Sequence, residues 1–426
     1  MLSKYTLRRL FEERKPRGFV QSIHRLLGLV DDQGRKNRDQ FGRPVRKDAQ
    51  IRPEEVRTTA LAEAIFGEEL EHAFSGDALS RFSRFSALAE SQGTPLLEAG
   101  GVDVTQFLNI NAYNAVVGGL IEFKVLEGFE MPGYEISEKL FPSIPTKLNG
   151  RRTGRIGSIG DKAARRLPGM PTQRVGLQEE WVDVPETEEY ALSIEVNQEA
   201  VFFDITNDIL AKAQTIGEAV KYRKELRCID VLAGITNPYE YKDTAYNTFL
   251  NTDPPAAGEW YNDQVKTLTD WTSINDALQL FARMTDPASG KRVVIMPNTL
   301  VTVPSLRATA NYIQNATHVE TTTNSTEVRR GPTPLDQTFA VITSPLLHMR
   351  LTDSDGSNLS EANSKRWWLL APGFGAYDEN WPLRVDAANP STMDMMDRGV
   401  MAFYKASERG IPWVTEPRKA VRNKVA

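Results

Sequence analysis

Apolar side chains recur at spacings of three and four from Asp204 to Gly234, the longest uninterrupted helical pattern in the chain. Ile205, Ile209, Ala213, Ile216 and Val220 form one stripe, and Leu226, Ile229 and Ala233 continue it after a small drift in phase. Lys212, Glu218, Lys221, Arg223, Lys224, Glu225 and Arg227 fill the other face. Asp204 or Thr206 caps the start, Asp208 suits the positive end of the helix dipole, and Gly234 supplies a stop that needs no Cβ. At 1.5 Å per residue this predicts a rod about 45 Å long, well beyond the usual globular helix.

Before the rod the pattern predicts short helices. Apolar faces run through Leu7, Leu10 and Phe11, then through Val20, Ile23 and Leu27. Residues 31–52 are nearly free of large apolar side chains and read as an exposed arm or linker. Pro53 opens a helix carrying Val56, Leu61 and Ile65, and Asp77 caps another with Leu79, Phe82, Phe85 and Leu88. A further helix spans Asp103 to about Phe123, punctuated by Gly118 and Gly119. A strand through Leu192, Ile194 and Val196 then leads towards the rod.

Beyond Gly234 the pattern is mixed. Residues 235–262 are loop-rich; Ser273 caps a helix with Ile274, Leu278 and Phe281 on one face. VVIMP (293–297) predicts a buried strand, and a helical segment from Leu300 to Tyr312 is interrupted by Pro304. The polar run at 320–331 precedes a strand at 338–344 and a turn at Asp353, Asp355 and Gly356. The apolar run containing Trp367 and Trp368 ends in a loop, GFGAYDENWP (373–382), followed by a strand at 399–408 and a basic tail at 417–426. The fold class is α+β.

A chain of 426 residues with 40% hydrophobic content can bury more than one core. Cys228 is the only cysteine, which excludes an intrachain disulfide and a thiolate metal cluster. The first residues, MLSKYTLRRLFEERK, lack the apolar core of an export signal, and no run of 18 apolar residues occurs, so neither a standard export signal nor a membrane span is expected.

Charge changes the picture more. The net charge is -5, yet residues 1–60 hold fifteen Lys/Arg against eight Asp/Glu. Gly150 to Gly176 carries seven Lys/Arg against one acid, and Leu177 to Tyr190 follows with six acids and no base. Either the two form a hairpin that neutralises itself, or one copy's arm lies on the next copy's strip. The second arrangement makes Arg151, Arg152, Arg155, Lys162, Arg165 and Arg166, with Glu179, Glu180 and Asp183, candidate inter-subunit contacts.

Candidate chemistry is sparse. Gly154, Gly157 and Gly160 lack the preceding strand and the closing GKS or GKT of a phosphate loop. His24, His72, His318 and His348 show no zinc spacing, Ser158 sits in GSIG rather than GxSxG, and Asp353, Asp355 and Gly356 lack the spacing of a calcium loop. Cys228, Trp367 and Trp368 read as core. No catalytic, cofactor-binding or metal-binding residue is expected, and the chain does not read as an enzyme.

SIEVNQEAVFFDITNDILAKAQTIGEAVKYRKELRCIDVLAG (193–234), the closing VMAFYKASERGIPWVTEPRKAV (400–421), and the order arm, strand, rod, α/β segment and last strand resemble the major capsid proteins of tailed phages, the Hong Kong 97-type fold. The resemblance covers roughly residues 100–426. It implies an N-terminal helical region (1–100), a connection to the peripheral domain (101–145), an extended E-loop (146–180), a peripheral domain (181–239) with a spine helix (204–234), an axial domain (240–390), and a return to the peripheral domain with the tail (391–426). It further implies hexamers and pentamers in an icosahedral shell around double-stranded DNA bound without sequence preference, with portal, scaffold or decoration proteins as partners. The virion is the implied location, with assembly in the bacterial host cytoplasm. An encapsulin-type nanocompartment shell, and an α/β enzyme with an unrecognised site, are the alternatives.

Overall fold

The structure is a computed structural model, described for residues 7, 20–31, 104–131, 133–156, 179–197, 208–253, 255, 259–286, 290, 292–316, 318–324, 327–332, 338–352, 365–388 and 400–425. The helices expected from Pro53 and Asp77, the 31–52 arm, most of the basic arm (157–178), and the Asp353 turn lie outside these residues.

After a helical stretch at 20–26, the chain forms α1 (Val104–Phe129), α2 (Glu135–Leu140), β1 (Ser143–Pro145), β2 (Arg151–Ile156), β3 (Glu179–Val184) and β4 (Glu188–Asn197). The rod is α3 (Asp208–Ala233), followed by β5 (Glu240–Tyr241), β6 (Thr244–Ala245), β7 (Asp263–Val265) and α4 (Trp271–Arg283). Next come β8 (Thr299–Thr302), α5 (Arg307–Asn315), β9 (His318–Asn324), β10 (Glu327–Pro332), β11 (Ala340–Thr343) and α6 (Pro345–Thr352). The chain closes with β12 (Trp367–Leu370), β13 (Gly375–Ala388), β14 (Val400–Val414) and β15 (Ala420–Lys424). Sheet orders are β1-β13-β14-β4, β2-β3-β5-β6 and β11-β8-β12-β15-β7, with β9 and β10 forming a separate hairpin.

Two compact units are built from interleaved stretches: residues 1–131, 189–221 and 381–409 in one, and 132–188, 222–380 and 410–426 in the other. Each has its own apolar cluster. In the first, Leu7, Ile23 and Leu27 are fully buried with Val116, Leu120 and Ile121 of α1 and Ala213 of α3. Gly118 and Gly119 do not interrupt α1. A Cβ on Gly118 would lie 3.2 Å from the Tyr404 ring, and one on Gly119 2.5 Å from His24 Nε2, so both glycines serve close packing inside a continuous helix.

In the second unit, Trp367, Trp368, Leu369 and Leu370 are all buried, because β12 is the middle strand of five and is covered on both faces. β15 pairs antiparallel with β12 and parallel with β7, so the expected basic tail is largely a core strand. Burying Val421 and Asn423 there outweighs the polar look of the segment. α3 ends at Ala233 with Gly234 at φ 75°; Gly234 N–H donates to Val231 O and Ile235 N–H to Asp230 O, which satisfies the last carbonyls.

Four further expectations need correction. The helical segment expected from Leu300 starts only at Pro304, as a single tight turn leading into α5, because Leu300–Thr302 belong to β8, held between β11 and β12. VVIMP is not a strand: it precedes β8 outside regular structure, with Val294 85% and Met296 69% exposed. GFGAYDENWP is no loop, since β13 begins at Gly375 and runs through it; a Cβ on Gly375 would meet the Phe141 ring at 2.4 Å, so that glycine marks a close contact. Asp270, not Ser273, caps α4, accepting from Thr272 N–H, while Ser273 is buried and donates its hydroxyl to Thr267 O.

Candidate assembly surface at the arm and strip

The stem of the arm is β2, paired antiparallel with β3 so that Arg152 stands opposite Asp183 and Arg155 opposite Glu180. Arm and strip thus meet within one chain over the described stem. Arg151 makes a two-point ion pair with Asp378, at 2.8 and 3.0 Å. Arg152 donates to Asp183 at 2.9 Å, pairs with Asp243, and lies over the Trp181 ring. Asp243 is placed by a two-residue turn in which Lys242 and Asp243 both have positive φ, as the tight β5-β6 hairpin requires. The side chains of Arg155 and Glu179 and all of Lys162, Arg165 and Arg166 lie outside the described residues.

Other strip acids are also engaged inside the chain. Glu188 pairs with Arg227 at 3.4 Å. Glu189 accepts from Lys405 at 2.6 Å, and that hydrogen bond holds its carboxyl below the ordinary carboxylate range. Two strip oxygens accept no hydrogen bond, both of them buried: Oε1 of Glu180, which is 5% exposed, and Oδ2 of Asp183.

Behind the stem lies a polar cluster that sequence reasoning missed. Lys224, Glu225 and Arg227, expected on the charged face of the rod, are all buried. Within the second unit, Lys224 donates to Glu379 at 3.2 Å and sits 4.0 Å from the Tyr377 ring centroid. Arg227 donates to Gly410 O at 2.8 Å and to the Tyr377 hydroxyl at 3.4 Å. Glu225 accepts the Ile136 and Ser137 N–H groups at 2.9 and 2.7 Å, capping the start of α2 from across the fold. Trp413 Nε1 donates to Asp378 at 2.9 Å. Tyr377, Asp378 and Glu379 therefore bind the rod through two residues and the root of the arm through the third. The available signal was the pair of acids inside the aromatic run AYDENW, which glycine and proline neighbours disguised as a loop.

Residues 182–423, more than half of the chain, match the family described as phage capsid protein. The chain belongs to the phage capsid protein family. Its role in that family is structural, as a shell protein of the virion, and the match favours a phage head over a nanocompartment. No curated protein matches the chain. Among solved structures, the capsid of a native GTA particle is 12% identical, covering 70% of this chain and 91% of that one at a TM-score of 0.43. The capsid of cyanophage Pam1 is 9% identical over 67% and 88%, at 0.44, and a virus-like particle from Pyrococcus furiosus is 13% identical over 71% and 97%, at 0.35. The assignment to the capsid family rests on the family match and not on these distant likenesses. No helix among the described residues is long and apolar enough to cross a membrane.

Proposed function

We propose that this capsid protein is the major head protein, assembling as hexamers and pentamers into an icosahedral shell around double-stranded DNA, in a fold of the Hong Kong 97 type. On this reading α3 is the spine helix and 146–180 the extended E-loop. Residues 181–239 and 391–426 form the peripheral domain, and 240–390 the axial domain. The observation that carries the proposal is the family match over 182–423, which includes all of the 26-residue rod and its polar anchorage on β13.

The mechanism is mechanical rather than chemical. Arg151 and Arg152 root the arm in its own subunit, and the distal cations Lys162, Arg165 and Arg166 reach a neighbour, so that many weak contacts add around a ring. DNA inside would be held without sequence preference, through phosphates alone. Portal, scaffold or decoration proteins complete the expected partners.

Light scattering of the purified full chain across protein concentration and salt tests this. Masses at ring or shell multiples of the subunit are expected, and a strict monomer under every condition would overturn the proposal.

A further inference from the structure

Asn149 and Gly150, the only Asn-Gly step in the chain, lead into β2 and lie wholly within the second unit. The step is pinned on both sides. Before it, Asn380 Nδ2 donates to Thr146 O at 3.2 Å and to Leu148 O at 3.0 Å, and Thr146 N–H donates to Glu379 O at 2.9 Å. After it, Arg151 is held on Asp378. Asn149 is exposed, yet its Oδ1 accepts two hydrogen bonds from one buried residue, the N–H and the hydroxyl of Thr187, each at 2.9 Å. A backbone N–H must be received by an oxygen, so Thr187 fixes which end of the Asn149 amide it holds and leaves Nδ2 as the other. The next residue is uncrowded: Gly150 has φ 75°, and a Cβ built on it would come no nearer than 3.6 Å to Glu186 or Val184.

An asparagine followed by glycine is open to attack by the next main-chain nitrogen on its side-chain carbonyl carbon, because glycine has no side chain to block ring closure. Negative charge builds on the carbonyl oxygen in that step, and donors already aimed at the oxygen lower its cost. We propose that Asn149 is a self-modification site whose deamidation Thr187 promotes. Gly150 N bonds to Asn149 Cγ and gives up its proton, while the two Thr187 donors hold the charge on Oδ1; the Cγ–Nδ2 bond then breaks and ammonia leaves with that proton. Water adds to the cyclic imide at either of its carbonyl carbons, breaking that carbon's bond to nitrogen and restoring the N–H. Opening at Cγ gives aspartate, which can keep both Thr187 bonds and adds a negative charge next to Arg151 and Arg152. Opening at the main-chain carbon gives isoaspartate, which lengthens the backbone by a methylene between the Asn380 and Asp378 anchors. Either product alters the root of the arm without any second protein.

The full chain is incubated at mildly alkaline pH, and digestion with mass spectrometry follows the loss of the Asn149 amide over time, with isoaspartate counted by enzymatic methylation. In the folded wild type the loss is expected to concentrate at Asn149. Thr187→Val, which removes the hydroxyl donor and keeps the main-chain one, should slow it several-fold, and Thr187→Ser, which keeps both donors, should restore the wild-type rate. An unchanged or faster rate in folded Thr187→Val would overturn the proposal, as would an Asn149 amide that stays intact in the wild type. A second measurement needs no variant: the wild-type chain unfolded in guanidinium chloride at the same pH has lost the Thr187 contact. The folded chain should lose the amide at least as fast as this unfolded one. A much slower folded chain would show that the two bonds lock the amide rather than activate it, and would overturn the inference even if Thr187→Val does not fold.

Discussion

Arg151 and Asp378 stand 227 residues apart in sequence and form a two-point ion pair at the root of the arm. The Asp378 side chain is 2% exposed and that of Arg151 25%, so the pair lies inside a low-dielectric wall and also accepts the Trp413 indole. A buried pair is weak evidence for net stability, yet removing one partner strands the other.

Arg151→Ala should therefore destabilise the second unit by about 2–3 kcal/mol, somewhat below the range for a fully buried pair because Arg151 keeps some contact with water. Arg151→Glu should cost more, whereas charge alone would suggest that reversing it leaves the subunit intact. Urea unfolding of both variants beside wild type measures this; unchanged midpoints would mean that the pair does not anchor the arm.

Gly128 on α1 and Gly217 on α3 mark a close crossing within the first unit. A Cβ on Gly217 would lie 1.9 Å from Val125 O, and one on Gly128 2.1 Å from Gln214 O. Backbone cannot yield as a flexible side chain can, so Gly128→Ala and Gly217→Ala should each cost about 1–3 kcal/mol or more. Gly154→Ala, where nothing lies within 4 Å of the new Cβ, serves as the control. Thermal melts should fall for the first two and stay near wild type for the third.

These contacts show what the sequence made legible. The rod and its Gly234 stop were readable because a long three-and-four spacing and a terminal glycine report local backbone preference, and the Trp367 strand because a short apolar run has few other uses. The burial of Lys224, Glu225 and Arg227 was not, since a charged helix face looks solvated until its partners are known. Those partners, Tyr377 and Glu379 on β13 and the α2 backbone, are remote in sequence. VVIMP shows the opposite case: an apolar run need not be buried, and Val294 and Met296 are exposed. Arg152 and Asp183 stand among the candidate inter-subunit contacts read from charge, and sequence alone cannot decide whether such residues meet within one chain, as these two do in the stem.

Asp263 ties the C-terminal strand to the second unit, accepting from Arg422 at 3.0 and 2.8 Å and from Lys424 at 3.1 Å. Burial pushes its carboxyl up, but the hydrogen bonds and charges of Arg422 and Lys424 outweigh that and hold it below its ordinary value of 3.8. A group depressed on folding contributes stability that is present above its unfolded pKa and is lost as pH falls through the folded one. The stability difference between wild type and Asp263→Asn should be constant at neutral pH and shrink below about pH 4. Denaturation curves between pH 2 and 7, roughly the window set by a carboxylate, provide the check, and a difference independent of pH would refute the linkage.

Arg165→Glu with Arg166→Glu should leave the subunit's unfolding curve unchanged and weaken assembly, most at low salt, because exposed charges are screened beyond about 10 Å at 0.1 M. Sedimentation of the variant at two salt concentrations reads both effects. Normal assembly at low salt would remove charge from the account of how the arm grips its neighbour.

Deletion of residues 1–30 should melt the first unit rather than merely loosen assembly, since Leu7, Ile23 and Leu27 are fully buried in its core. Burial of each is worth about 1.5–3 kcal/mol. Hydrogen exchange of the truncated chain should show lost protection in α1; unaltered protection would place those side chains outside the core.

Electron microscopy of the full chain expressed without any other phage protein tests the central claim most directly. Closed, uniform shells showing five-fold and six-fold clusters of subunits are the predicted result. A well-folded chain that forms no closed particle and no ring, at any concentration or salt that keeps it soluble, would contradict the assignment of shell assembly to this chain.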